Sequence, residues 1–140
     1  MDEIIKICIE EAKKSIEHDD VPIGAVVVKE GKIIAKAHNT REIDKNITGH
    51  AEINAIFVAA KALNRWNLAD CDLYVTLEPC PMCQEIIKQS RIQNVYYLLS
   101  ALDYKNTYNK TNFNKIIEND TAQNEQMYAD ILKAFFKEKR

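Results

Sequence analysis

At 140 residues and 46% hydrophobic content, the chain is long enough for one domain with its own core, expected to span residues 1–140. A formal net charge of −2 argues against a protein that is basic overall and grips nucleic acid everywhere, although a local basic patch would still serve. No long apolar run and no charged-then-apolar leader is present, so neither a membrane span nor a signal peptide is expected; the four cysteines, with no disulfide framework expected, suit the cytoplasm.

Residues 2–18 carry Ile4, Ile5, Cys8, Ile9, Ala12 and Ile16 at helical spacing, with Lys13, Lys14 and Glu17 largely on the other face. This predicts a covering helix that Asp19-Asp20-Val21-Pro22 ends, because the residue before a proline avoids the α region. Two β-branched runs, 25–29 and 32–37, joined by Glu30-Gly31, predict a hairpin. His38 reads as a strand-end histidine. Asn39 is either a turn residue or a carboxamide that donates to and accepts from a substrate, and the sequence leaves both open. A polar loop follows, with Thr48 as a candidate helix cap.

Residues 51–63 predict an apolar helix whose alanines at 51, 55, 59, 60 and 62 would pack against a sheet and offer a face to a partner chain. A strand over 72–77, a helix over 81–90 and a strand over 95–99 come next. Residues 102–114 read as a polar loop with some helical turn, 115–118 as a short fifth strand. The final helix, 125–139, would turn Met127, Ile131, Ala134 and Phe135 inward. Lys133, Lys137 and Arg140, with Lys139 beside them, are either a solvated face or a phosphate-contacting stripe next to Phe136.

The chemistry concentrates in Pro79-Cys80-Pro81-Met82-Cys83 and His50-Ala51-Glu52. Pro81 suits a first helical position, which makes Cys80 the N-cap and puts Cys83 in the first turn. Sulfurs at a helix N-terminus are stabilised as thiolates by the dipole and the free N–H groups. His50 and Glu52 would face one centre at the start of the preceding helix. His50, Cys80 and Cys83 then form a three-ligand zinc set, and three protein ligands leave one position for water. Glu52 is placed to take a proton from that water and pass it on. A redox pair would not need His50 or Glu52, half a zinc finger lacks its second ligand pair, and a purely structural site needs no proton shuttle. The pairing of H-x-E with P-C-x-x-C is the signature of zinc-dependent base deaminases.

Gly49-His50-Ala51-Glu52-Ile53, Leu73-Tyr74-Val75-Thr76-Leu77-Glu78-Pro79-Cys80 and Met82-Cys83 resemble bacterial tRNA-specific adenosine deaminases. Val21-Pro22-Ile23-Gly24-Ala25, His38-Asn39, Ser90-Arg91-Ile92 and Phe135-Phe136 match the same pattern. The resemblance implies a single three-layer α/β/α domain with a five-stranded mixed sheet of cytidine deaminase-like type. It further implies one Zn²⁺ per chain and conversion of adenosine to inosine at the wobble position of tRNA, in a homodimer. Asn39 would contact the target base, the Ala51 N–H would bond to it, and Phe136 would lie near the anticodon loop. The stretch Ser100-Ala101-Leu102-Asp103-Tyr104-Lys105-Asn106 departs from the family in keeping an Asp-x-Lys without its glycines. That departure and the acidic balance favour the competing reading, a deaminase of a free base or nucleoside such as cytosine, guanine or cytidine. A third reading is a zinc-stabilised binding module without catalysis.

Overall fold

The computed structural model describes residues 2–101, 113–116 and 121–139. Along the chain come α1 (Asp2–Ile16), β1 (Gly24–Lys29), β2 (Lys32–His38), a short α2 (Arg41–Asp44), α3 (Ala51–Leu63) and β3 (Cys71–Leu77). They are followed by α4 (Pro81–Ser90), β4 (Asn94–Leu99), β5 (Phe113–Lys115) and α5 (Thr121–Glu138).

The strands order as β2-β1-β3-β4-β5. β1 is antiparallel to both of its neighbours, whereas β3, β4 and β5 are mutually parallel. Every strand except β1 therefore runs the same way, and their C-terminal ends share one edge of the sheet. That edge is where α/β sheets place their sites, because helices begin there. The sheet is mixed, five-stranded and covered by helices on both faces, as the resemblance implied.

The two faces follow from the period-two alternation of strand side chains. Ala25, Val27, Leu73, Val75 and Val95 pack under α3 and α4, against Ala51, Ala55, Ala59 and Ile87. Val26, Val28, Tyr74 and Leu98 face the other way, against Ile5, Cys8, Ile9 and Ala12 of α1 and Tyr128 of α5. Burying such aliphatic and aromatic side chains contributes about 1.5–3 kcal/mol each.

α1 approaches the sheet most closely at Gly24. A Cβ built there would lie 1.9 Å from the Cys8 carbonyl oxygen and 2.7 Å from the Ala12 nitrogen, both backbone atoms that cannot swing aside. Gly24→Ala must push α1 off β1. We expect a loss of about 3 kcal/mol or more, read as a lower denaturant midpoint at unchanged slope.

Three expectations are corrected. Of the expected inner face of α5, Phe135 is buried and Ile131 packs against the core, but Met127 and Ala134 are exposed, and Thr121, Asn124 and Tyr128 are buried in their place. The helix is turned so that the buried Tyr128 hydroxyl donates to the Pro22 carbonyl at 2.7 Å, a bond an apolar face could not make. The fifth strand lies earlier than 115–118, with Phe113 paired to Val95 and Lys115 to Tyr97. Ile16, expected on the inner stripe of α1, is 40% exposed. The Asp103-Tyr104-Lys105 stretch, most of the 102–114 loop, residues 117–118 and Arg140 lie outside the described residues. Among the described residues no helix is long and apolar enough to cross a membrane.

Candidate active site

Two helix N-termini meet at the C-terminal edge of the sheet. α3 begins at Ala51 with His50 as its N-cap, in extended conformation at φ −85°, ψ 148°. Thr48, the expected cap, does not serve as one. Its hydroxyl and N–H both donate to Asn46 Oδ1, at 2.8 and 3.0 Å, which holds it in the loop two residues before the cap position. The start of α3 is tied to β2 instead by Asn54, whose Nδ2 donates to the His38 carbonyl and to Thr40 Oγ1.

α4 begins as the prolines require. Cys80 is its N-cap at φ −70°, ψ 167°, Pro81 occupies the first turn, and Cys83 is fully buried in that turn. His50 Nδ1 lies 3.6 Å from Cys80 Sγ and 3.5 Å from Cys83 Sγ. The three donor atoms all fall within 4.8 Å of one another. Zinc at its usual bond lengths separates tetrahedral nitrogen and sulfur ligands by roughly 3.5 Å, so these residues fit the ion in chemistry and spacing. Among the described residues the group has these three members, a set that leaves a fourth position open.

The protonation of the trio is shared. Cys80 is pulled down to about 4, chiefly by the hydrogen bond with the Cys83 thiol; burial opposes this and His50 adds to it. Cys83 is pushed strongly upward by the same sharing with Cys80 and by its own burial. Hydrogen bonding to Cys80 holds the His50 imidazole up. Negative charge therefore gathers on Cys80.

Glu52 stands beside this trio without joining it. It is 3% exposed and its Oε1 has no hydrogen-bond partner. Burial is the main reason its carboxyl is pushed up to about 7. A buried carboxylate oxygen without a donor is costly, and a polar group brought to the open metal position would relieve it.

Asn39 is buried and makes both bonds expected of a turn residue: Oδ1 accepts from the Arg41 N–H at 3.3 Å and Nδ2 donates to the Val21 carbonyl at 3.2 Å. It also lines a groove of about 540 Å³ with Asp20, Val21 and Arg41. Ala51 is buried in the first turn of α3, where N–H groups have no intrahelical acceptor. Phe136 is exposed and lines a different groove, of about 820 Å³, with Leu99, Leu132, Lys133 and Lys137. No metal ligand lines either groove. Lys139 departs from the expected stripe, pairing with Asp19 at 2.6 Å and lying over the Phe135 ring.

Two buried polar residues escape a reading of the sequence. Asp20, legible only as part of a helix stop, accepts from the Glu42 and Ile43 N–H groups and from His18, and so pins α2 beneath the loop that leads to His50. Gln84 is 2% exposed beside Cys83. Its signal is a polar residue on the inward stripe Cys83, Gln84, Ile87.

Residues 1–99 match the sequence pattern described as the cytidine and deoxycytidylate deaminase zinc-binding region. A tRNA-specific adenosine deaminase of Bacillus subtilis (strain 168) is 43% identical over 97% of this chain and 88% of its own length. Another of that name from Aquifex aeolicus (strain VF5) is 50% identical over 72% of this chain and 66% of its own. Among solved structures, one from a study of A-to-I editing by tRNA:A34 deaminases superposes with a TM-score of 0.73 at 32% identity, covering 81% of this chain and 97% of that one. A guanine deaminase from Bacillus subtilis superposes with a TM-score of 0.68 at 27% identity, over 92% and 93% of the two chains.

Proposed function

This chain belongs to the cytidine and deoxycytidylate deaminase family, and from that premise we propose that it is a zinc-dependent hydrolytic deaminase converting adenosine to inosine at the wobble position of tRNA. The observation that carries the chemistry is the buried, partnerless Glu52 oxygen beside a three-ligand cluster. His50, Cys80 and Cys83 would hold the ion. When bound, zinc supplies the Lewis acidity that makes a nucleophile of water at neutral pH. Glu52 moves the protons in two steps: on Oε1 it takes one from the attacking water and gives it to the purine ring nitrogen, then takes the second, from the hydroxyl of the adduct, and gives it to the amine that leaves as ammonia.

Ala51 presents its N–H to the base, and Asn39 contacts the base. The bases of an anticodon loop are unstacked, so the target is extruded without melting a duplex. The whole of 1–140 acts as one domain, in the cytoplasm, as a homodimer. The half of α3 turned away from the sheet exposes Phe57 and Val58, which supports a partner there. The relatives named above support the tRNA substrate; the guanine deaminase neighbour keeps a free base as the reading to exclude. Zinc-loaded protein is incubated with a tRNA bearing adenosine at the wobble position and, separately, with free adenine, guanine, cytosine and their nucleosides. Inosine in the RNA supports the proposal. Ammonia from a free base, with the RNA unchanged, overturns it in favour of the small-molecule reading.

Phe136, with Lys133 and Lys137 on the same groove, would rest against the RNA. Because Lys139 is tied to Asp19, the informative variant removes Lys133 and Lys137 alone. Lys133→Ala/Lys137→Ala should weaken tRNA binding and flatten its salt dependence by roughly 0.7 to 0.9 in log–log slope per lost phosphate contact. Unchanged affinity and slope across a salt series would return these lysines to a solvated face.

A further inference from the structure

Two prolines leave the loop that carries Cys80 short of donors. Neither Pro79 nor Pro81 has an N–H to bond with a neighbouring element. Upstream, the Glu78 N–H reaches the Leu99 carbonyl at 2.8 Å and anchors the loop to β4. Downstream, Gln84 grips it twice. Its backbone N–H makes the ordinary first-turn bond to the Cys80 carbonyl at 2.9 Å, and its side-chain Nε2 donates to the Pro79 carbonyl at 2.8 Å. A carbonyl only accepts, so the amide must turn its NH₂ toward Pro79.

Gln84 is an uneconomical choice if folding is its only purpose. At 2% exposure its Oε1 is buried with no partner. The bond made by Nε2 is offset by the acceptor left dry on the same side chain. An apolar residue of equal length would leave the Pro79 carbonyl unbonded but remove the orphaned oxygen, so the two choices nearly balance for the fold. They do not balance for the ligands. Cys83 is fixed by the helix that contains it, whereas Cys80 sits at the cap, half-buried, on the proline-flanked loop.

We propose that Gln84 is a positioning residue of the metal centre: its side-chain amide holds the Pro79–Cys80 peptide so that the Cys80 sulfur stands in register with Cys83 and His50 before an ion arrives. This rests on the assignment of those three residues as zinc ligands. Groups that orient metal ligands from the outer shell govern affinity strongly, and their loss weakens binding about ten- to a hundredfold.

The test is Gln84→Met, similar in length and unable to donate. Zinc affinity is measured by competition with a chromophoric chelator, and thermal midpoints are recorded with and without zinc. We expect affinity to fall about tenfold or more while the metal-free midpoint stays near wild type, so that the rise in midpoint on adding zinc shrinks. Unchanged affinity overturns the proposal, and an equal loss of stability with and without zinc makes Gln84 a packing residue. Gln84→Ala, which removes bulk as well as the donor, gives the same readout should the methionine crowd the site. If wild type itself binds no zinc, the ligand assignment fails, a result distinct from failure of the Gln84 proposal.

Discussion

Glu52→Gln will purify with its full zinc complement and turn over its substrate at least roughly a hundredfold more slowly, within the range that a positioned acid–base group contributes. The amide keeps the shape of the carboxyl but cannot take a proton and give it back. Because Glu52 lies outside the cluster of donor atoms, zinc content by metal analysis should match wild type. A variant that lost its zinc would make Glu52 a ligand and remove it from proton transfer.

The same substitution has a signature in chelator-stripped protein. Burial pushes the Glu52 carboxyl up to about 7, so the folded state keeps a proton that the unfolded chain gives up near the ordinary carboxylate value. The folded state thus binds more protons than the unfolded one, and stability falls as pH rises from roughly 4.5 to 7. A neutral amide in place of the carboxyl carries no such penalty. The metal-free variant should therefore be the more stable protein at pH 8, by something on the order of 2 kcal/mol, and the difference should fade toward pH 4. Denaturant titrations at the two pH values read this directly.

Cys83→Ala should lose zinc and, with it, the stability that zinc confers. Two donors, His50 and Cys80, remain, too few for a tight site. A ligand present at a thousandfold its dissociation constant stabilises by about 4 kcal/mol, which moves the midpoint of a domain this size by roughly 10 °C. The variant should melt lower than zinc-loaded wild type by about that margin and show no response to chelator. A full zinc complement in Cys83→Ala would take this sulfur out of the site.

Much of the site is legible in sequence because its geometry is enforced locally. Pro81 dictates where α4 starts, and that alone makes Cys80 the cap and Cys83 a first-turn residue. The spacing of His50 and Glu52 admits a common centre only at a helix start, where α3 indeed begins. What escapes is settled by atoms far away in the chain. Asp20 bonds α2 from 22 positions upstream, so neither that four-residue helix nor its anchor is visible locally. The rotation of α5 turns Tyr128 inward, where it bonds to Pro22 106 positions away, while a count of apolar residues favours Met127 and Ala134. Thr48 is no cap because Asn46, two residues earlier, takes both of its donors and holds it in the loop. Asn39 makes the two bonds of its turn reading with Val21 and Arg41, and the groove it lines holds none of the metal ligands, so its contact with a base stays a proposal.

The strand order also sets when a nascent chain becomes able to capture an ion. β1 and β2 close at once through the short Glu30-Gly31 turn, whereas β3 must find β1 across the whole of α3, and β4 pairs with β3 only after α4 has crossed back. Such long-range pairings are the slow steps of folding. His50 precedes β3 and Cys80 follows it, 30 positions on. The trio is assembled across that distant pairing, so metal uptake is expected to follow the closing of β3 on β1 and not to initiate it.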